Sequence, residues 1–185
     1  FAHCLEASSS PHYHPMSQGI ALEGLRLVKD YLPRAFADGT DLEARAHMMS
    51  AAMMGATAFQ KGLGAVHAIS HPIGAVYGTH HGMTNAVVIP PVLKLNRNAI
   101  EGRIGQAADY LGIKGGFDGF FSYVLELRAG LGVPDNLGEM GIGTDRVEEL
   151  TAMALQDPSC GGNPIELTFE NTRQLLLDSI LLKNS

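Results

Sequence analysis

Apolar residues in this chain recur mainly at three- and four-residue spacing, the period of a helix with one buried face. Over 15–37, Ile20, Leu22, Leu25, Leu27, Val28, Tyr31 and Leu32 follow that spacing, and Pro33 should kink or end the helix they predict. Thr40 followed by Glu43 reads as a capping box that opens a helix over 41–61. Its interior, AHMMSAAMMGATAF, is small and soft on every side. That predicts a central, buried helix in which Met48, Met49, Met53 and Met54 fill core space. The apolar stretch 64–78 predicts a helix kinked or broken near His71, because the residue before Pro72 avoids the α region. A helix over 82–96, distorted by Pro90 and Pro91, should come next. Further helices are expected near 100–111, 117–131, 144–156 and 168–182, with Thr144 and Thr168 as N-caps. Gly112, Gly130, Gly132 and Gly141 punctuate the connections, and Gly115-Gly116 reads as a loop. The β-branched run NAVVIPPVL is demoted as a strand by its two prolines. The pattern predicts an all-α, bundle-like fold of about seven to nine helices in a single domain over 1–185.

Composition narrows the function. At 185 residues and 45% apolar content the chain can bury one sizeable core. Its formal charge of −6 is spread along the sequence, without the clustered Lys and Arg that nucleic acid requires. The opening FAHCLEASSS lacks the basic region and apolar run of a signal peptide. No unbroken apolar run of bilayer-spanning length occurs, so no membrane partner is expected. Cys4 and Cys160 form neither a framework nor a CxxC pair, which favours a reducing cytoplasm.

Candidate chemistry lies in Gly62 to Leu93. This stretch holds His67, His71, His80 and His81 but no Lys, Arg, Asp or Glu. Neutral imidazole is the commonest protein metal ligand and an acid/base group near neutral pH. A single histidine in an apolar segment is ordinarily a core or cleft residue bonded to a carbonyl. The grouping is what changes the reading. His67 and His71 share one face of a helix, and a turn at Gly78 could return His81 to the same cavity. His3 is a further candidate. Three imidazoles alone suit zinc, iron, copper or nickel. There is no HExxH protease motif. His12 and His14 are expected at the surface, His47 in packing or at the surface, and His80 turned away from its neighbour. Gly62, Gly64, Gly74 and Gly78 make no dinucleotide fingerprint and are expected to allow close helix packing. Cys4 beside His3 lacks the geometry of a nucleophile–base pair.

The segment GLGAVHAISHPIGAVYGTHHGMTNAVVIPP resembles the iron-containing (group III) alcohol dehydrogenases. So do LEARAHMMSAAMMGATAF upstream, NPIELTFENTRQLLLDSI downstream and the opening FAHCLEASSS, although Ser8 follows Ala7 where that family usually carries Tyr. The resemblance implies the helical C-terminal domain of a dehydroquinate synthase-like fold, without the α/β dinucleotide-binding domain that precedes it in the family. It implies a divalent metal, Fe2+ or Zn2+, held by His3, His67 and His81 together with an Asp two residues before Phe1, outside this sequence. It implies that His71 is a non-ligand residue near substrate and nicotinamide, in a catalytic and cofactor-binding role. The activity implied is oxidation of a small alcohol to an aldehyde or ketone with hydride transfer to NAD or NADP. The full-length protein is then a cytoplasmic homo-oligomer, and residues 1–185 alone are expected to be inactive and to hold metal weakly. The alternatives are a maleylacetate-type reductase of the same family or a free-standing helical metal-binding module.

Overall fold

The computed structural model describes residues 1–183. Eight α-helices make up its framework, and no strand occurs among the described residues. They are α1 (Ala2–Ser9), α2 (Pro15–Ala37), α3 (Leu42–Ala58), α4 (Ala65–Tyr77), α5 (His81–Tyr110), α6 (Gly116–Gly130), α7 (Val147–Gln156) and α8 (Phe169–Leu181). No described helix is long and apolar enough to cross a membrane.

Helices α2 and α3 pair as one hairpin, α5 and α6 as another, and α7 packs on α8. Helix α4 lies against α5 and α7, and the short α1 is enclosed by α2, α3 and α5. The main core runs through Leu25, Ile69, Ile73, Ile104, Phe120 and Leu176. A satellite cluster of Leu27, Val28 and Ala51 sits between α2 and α3, with Met48 and Met54 at its edge.

Helix α1 is held closely from three sides. A Cβ at Gly24 would lie 2.6 Å from Cys4 Sγ, and one at Gly55 would lie 3.0 Å from His3 Cβ, so two small residues admit the helix. At its C-terminal end, Lys61 Nζ donates to Ala7 O at 2.8 Å and to Gln18 Oε1 at 2.7 Å. That ammonium satisfies a helix-end carbonyl that has no intrahelical partner.

Several boundaries depart from the sequence expectation. Asp41, not Thr40, caps α3: its Oδ1 accepts from Ala44 N–H at 2.9 Å, while Thr40 is drawn into a turn with Asp38. The carboxylate stands one residue nearer the helix and takes the N3 amide. Helix α3 is not buried all round, since Met49 and Met53 are 75% and 73% exposed. Prolines do not interrupt these helices. Helix α2 runs through Pro33, and α4 is continuous through Pro72. The two helices expected over 82–96 and 100–111 are one, α5, with Pro90 and Pro91 inside it. Each proline removes one backbone hydrogen bond, but buried Val87, Val88, Ile89 and Leu93 hold the segment against the core. Helix α7 begins at Val147 without a side-chain cap from Thr144. Thr168 does cap α8, in a reciprocal box with Asn171.

Candidate metal centre

Three helices bring four imidazoles to one place. His3 lies on α1, His67 and His71 lie one turn apart on α4, and His81 opens α5. Gly78 ends α4 with φ of +66°, a left-handed conformation that glycine adopts without strain, and its N–H closes on Gly74 O. The chain then reverses so that His81 faces back to α4. Ring centroids are separated by 4.8 Å for His3–His67, 5.3 Å for His67–His81, 5.4 Å for His71–His81 and 5.6 Å for His67–His71.

The other histidines serve elsewhere. His14 and His80 are N-caps, accepting at Nδ1 from Ser17 and Met83 amides. His47 stacks on Tyr31 at 3.9 Å, and His12 is exposed. The close-packing expectation holds for Gly64, where a Cβ would come within 2.9 Å of Asn163 Oδ1, but not for Gly74 or Gly78, which face open space.

Three residues not singled out in the sequence complete the cluster. Glu6, on α1, accepts from the Val66 amide at 2.7 Å through Oε1 and makes a very short contact through Oε2 with Nδ1 of the buried His67. Asp157 Oδ2 lies 2.8 Å from Nδ1 of His71, whose side chain is 44% exposed. Asn85 Nδ2 lies 3.0 Å from His81 Nε2 and 3.5 Å from His67 Nε2, and its buried Oδ1 has no partner. Glu6 was visible in the motif HCLEA but carries no local sign of its target. Asp157 and Asn85 had no signal beyond residue type.

Electrostatics favour the neutral form of two of the rings, His3 and His81. Burial, then the neighbouring imidazoles, holds His3 down to about 4 from 6.5. Burial and the adjacent rings likewise hold His81 below its ordinary value. Burial opposes ionisation of Asp157, but hydrogen bonds from Ser159 and His71 outweigh it and keep the carboxyl below its usual range. Burial pushes the Cys4 thiol up, which disfavours its thiolate.

A divalent cation needs deprotonated donors, and neutral imidazoles meet that requirement. With Nδ1 of His67 taken by Glu6, only Nε2 is left to face the cluster. The unpartnered Asn85 oxygen adds a polar atom without an assigned role. In these respects the residues fit a metal. Their arrangement does not yet present a shared centre: among the described residues no three His, Cys, Asp or Glu side chains stand together as a ready ligand set. His67 and His81 turn their Nε2 atoms toward the Asn85 amide instead.

Beside the cluster opens a cleft of about 620 Å³. Phe1, Leu32, Phe36, Val124, Leu127 and Leu131 form apolar walls, and His3, His81 and Asn85 form a polar edge. Arg128 also lines it, but one of its nitrogens is spent on the Pro134 and Asp135 carbonyls.

The family described as "Fe-containing alcohol dehydrogenase family, C-terminal" matches residues 1–180. The chain is 39% identical to the 4-hydroxybutyrate dehydrogenase of Cupriavidus necator, covering 97% of this chain and 49% of that protein. It is 32% identical to the NAD-dependent methanol dehydrogenase of Bacillus methanolicus, again over 97% and 49%. The iron-containing alcohol dehydrogenase of Thermococcus thioreducens superposes with a TM-score of 0.87 at 31% identity, over 97% of this chain and 48% of that one. The chain thus spans about half the length of the relatives it matches. It belongs to the iron-containing alcohol dehydrogenase family and corresponds to that family's helical C-terminal part.

Proposed function

We propose that this chain is the metal-binding, helical half of an NAD- or NADP-dependent dehydrogenase that acts on a small alcohol. The observation that carries the reading is the meeting of four imidazoles from three helices at the edge of one apolar cleft. His3, His67 and His81 would hold the divalent metal, iron or zinc. When bound, that ion would supply Lewis acidity toward the substrate oxygen, and a nicotinamide cofactor would accept the hydride. His71 stands apart from the three. Its Nδ1 is turned to Asp157, which leaves Nε2 free to hold or release a proton at the open side of the cluster. The apolar walls exclude water from a short carbon chain. Two similar proteins are named for 4-hydroxybutyrate and methanol, which supports a small hydroxyl-bearing substrate. We also propose a cytoplasmic homo-oligomer, in keeping with the two free thiols, Cys4 and Cys160.

The test uses a longer protein that contains this chain. Metal content and alcohol-dependent reduction of NAD or NADP are measured in parallel. His67→Ala or His81→Ala should remove both together. His71→Ala should retain metal and lower turnover by about 10²–10⁴-fold, the usual contribution of a positioned acid/base group. Full metal loss in His71→Ala would show that its role has been misassigned.

A further inference from the structure

The carboxylate of Glu6 is buried, with 6% of its surface exposed, and each oxygen meets a different donor. Oε1 accepts from the Val66 amide in the first turn of α4. The N-cap of that helix is Gly64, which has no side chain to satisfy a free amide. Asn163 Oδ1 takes the Ala65 amide, and Glu6 takes the next. The second oxygen, Oε2, faces Nδ1 of His67. An ionised carboxylate can only accept hydrogen bonds, so Nδ1 is the nitrogen that carries the hydrogen. Nε2 then keeps its lone pair, on the side of the ring where the Asn85 amide meets both it and His81 Nε2.

We propose that Glu6 is a positioning residue that locks His67 in the Nδ1–H tautomer and so reserves Nε2 for the metal. This rests on the reading of His67 as a ligand. The residue type is required as well as the position. Both partners of Glu6 are donors, so two acceptor oxygens are needed. A glutamine of the same shape has one acceptor oxygen and one NH2 group. It can satisfy the Val66 amide or His67 Nδ1–H, but not both. If its NH2 group faced the ring, it would favour the opposite tautomer. Helix α1 therefore delivers His3 and, one turn on, the carboxylate that orients His67.

Ring-15N-labelled chain, studied by long-range proton–nitrogen correlation above the imidazole titration range, tests this without metal. Wild-type His67 should be a single Nδ1–H tautomer. An Nε2–H tautomer, or an even mixture, would overturn the proposal. In Glu6→Gln the Nδ1–H form should lose its dominance while far-ultraviolet circular dichroism stays unchanged; an unaltered tautomer would show that Glu6 is only a helix cap. If Glu6→Gln does not fold, the wild-type tautomer alone decides. Cobalt titration of the longer protein that contains this chain separates this from the metal reading. Glu6→Gln should bind Co2+ about 10–100-fold more weakly than wild type, the usual effect of losing such an outer partner. If His67→Ala abolishes binding and Glu6→Gln leaves it intact, the positioning role fails and the ligand role stands. If His67→Ala binds Co2+ as tightly as wild type, the ligand role fails, and the proposed reservation of Nε2 for metal fails with it.

Discussion

Two histidines one turn apart on α4 occupy opposite surroundings. The His67 side chain is 2% exposed and bound to Glu6; that of His71 is 44% exposed and bound to Asp157. The same residue type is thereby divided between an enclosed ring and an open one. The histidines were legible in the sequence because an uncharged stretch isolates them. Their carboxylate partners were not, because they lie 61 and 86 residues away along the chain and only the fold joins them. Burial of His3 beside the other rings also has a consequence for the metal-free chain. His3 resists protonation until about pH 4, whereas the unfolded chain takes up that proton near 6.5. The unfolded state therefore binds more protons in that window, and the stability present above it is lost as pH falls through it. His81 adds in the same direction. Because His3 is only half-buried, solvent screening makes the loss smaller than the shift alone would give. Thermal melts should show Tm falling between pH 6.5 and about 4 more steeply in wild type than in His3→Asn.

Helix ends and helix continuity were read with unequal success, and each case has a physical reason. Periodicity located α2, α6 and α8 closely, because their apolar faces meet the core in the ordinary way. Helix α5 was expected as two, 82–96 and 100–111, yet Asn96 and Ile100 are both buried on one continuous helix, a continuity that local spacing did not reveal. At α3 the spacing to Glu43 pointed to Thr40 as the cap, whereas the backbone path selects its neighbour Asp41. That choice can be measured. Asp41→Ala should destabilise the chain by about 1 kcal/mol, as loss of an N-cap does. Thr40→Ala removes only exposed contacts to Asp38 and should change stability by less than about 0.5 kcal/mol. Equal losses in denaturant titrations would return the cap to Thr40.

For the whole molecule, a helical scaffold supplies a cleft and a cluster of imidazoles, but among the described residues there is no strand–turn–helix unit of the kind that grips a pyrophosphate. Hydride transfer requires donor and acceptor carbons held about 3–3.5 Å apart. Residues 1–185 alone should therefore fail to reduce NAD or NADP with any alcohol, and robust reduction would contradict the proposed division of labour. Helix α1 also determines what kinds of change the chain can tolerate. Its eight residues carry the His3 ring and the Glu6 carboxylate three positions apart, pinned at one end by Lys61. Each residue added to a helix turns everything beyond it by about 100°. A single insertion between His3 and Glu6 would swing one of them off the cluster, whereas the same insertion at the Gly115-Gly116 turn would move neither. Insertion scanning should thus find α1 intolerant at almost every position, and a lineage carrying this site can drift by substitution there but not by change of length.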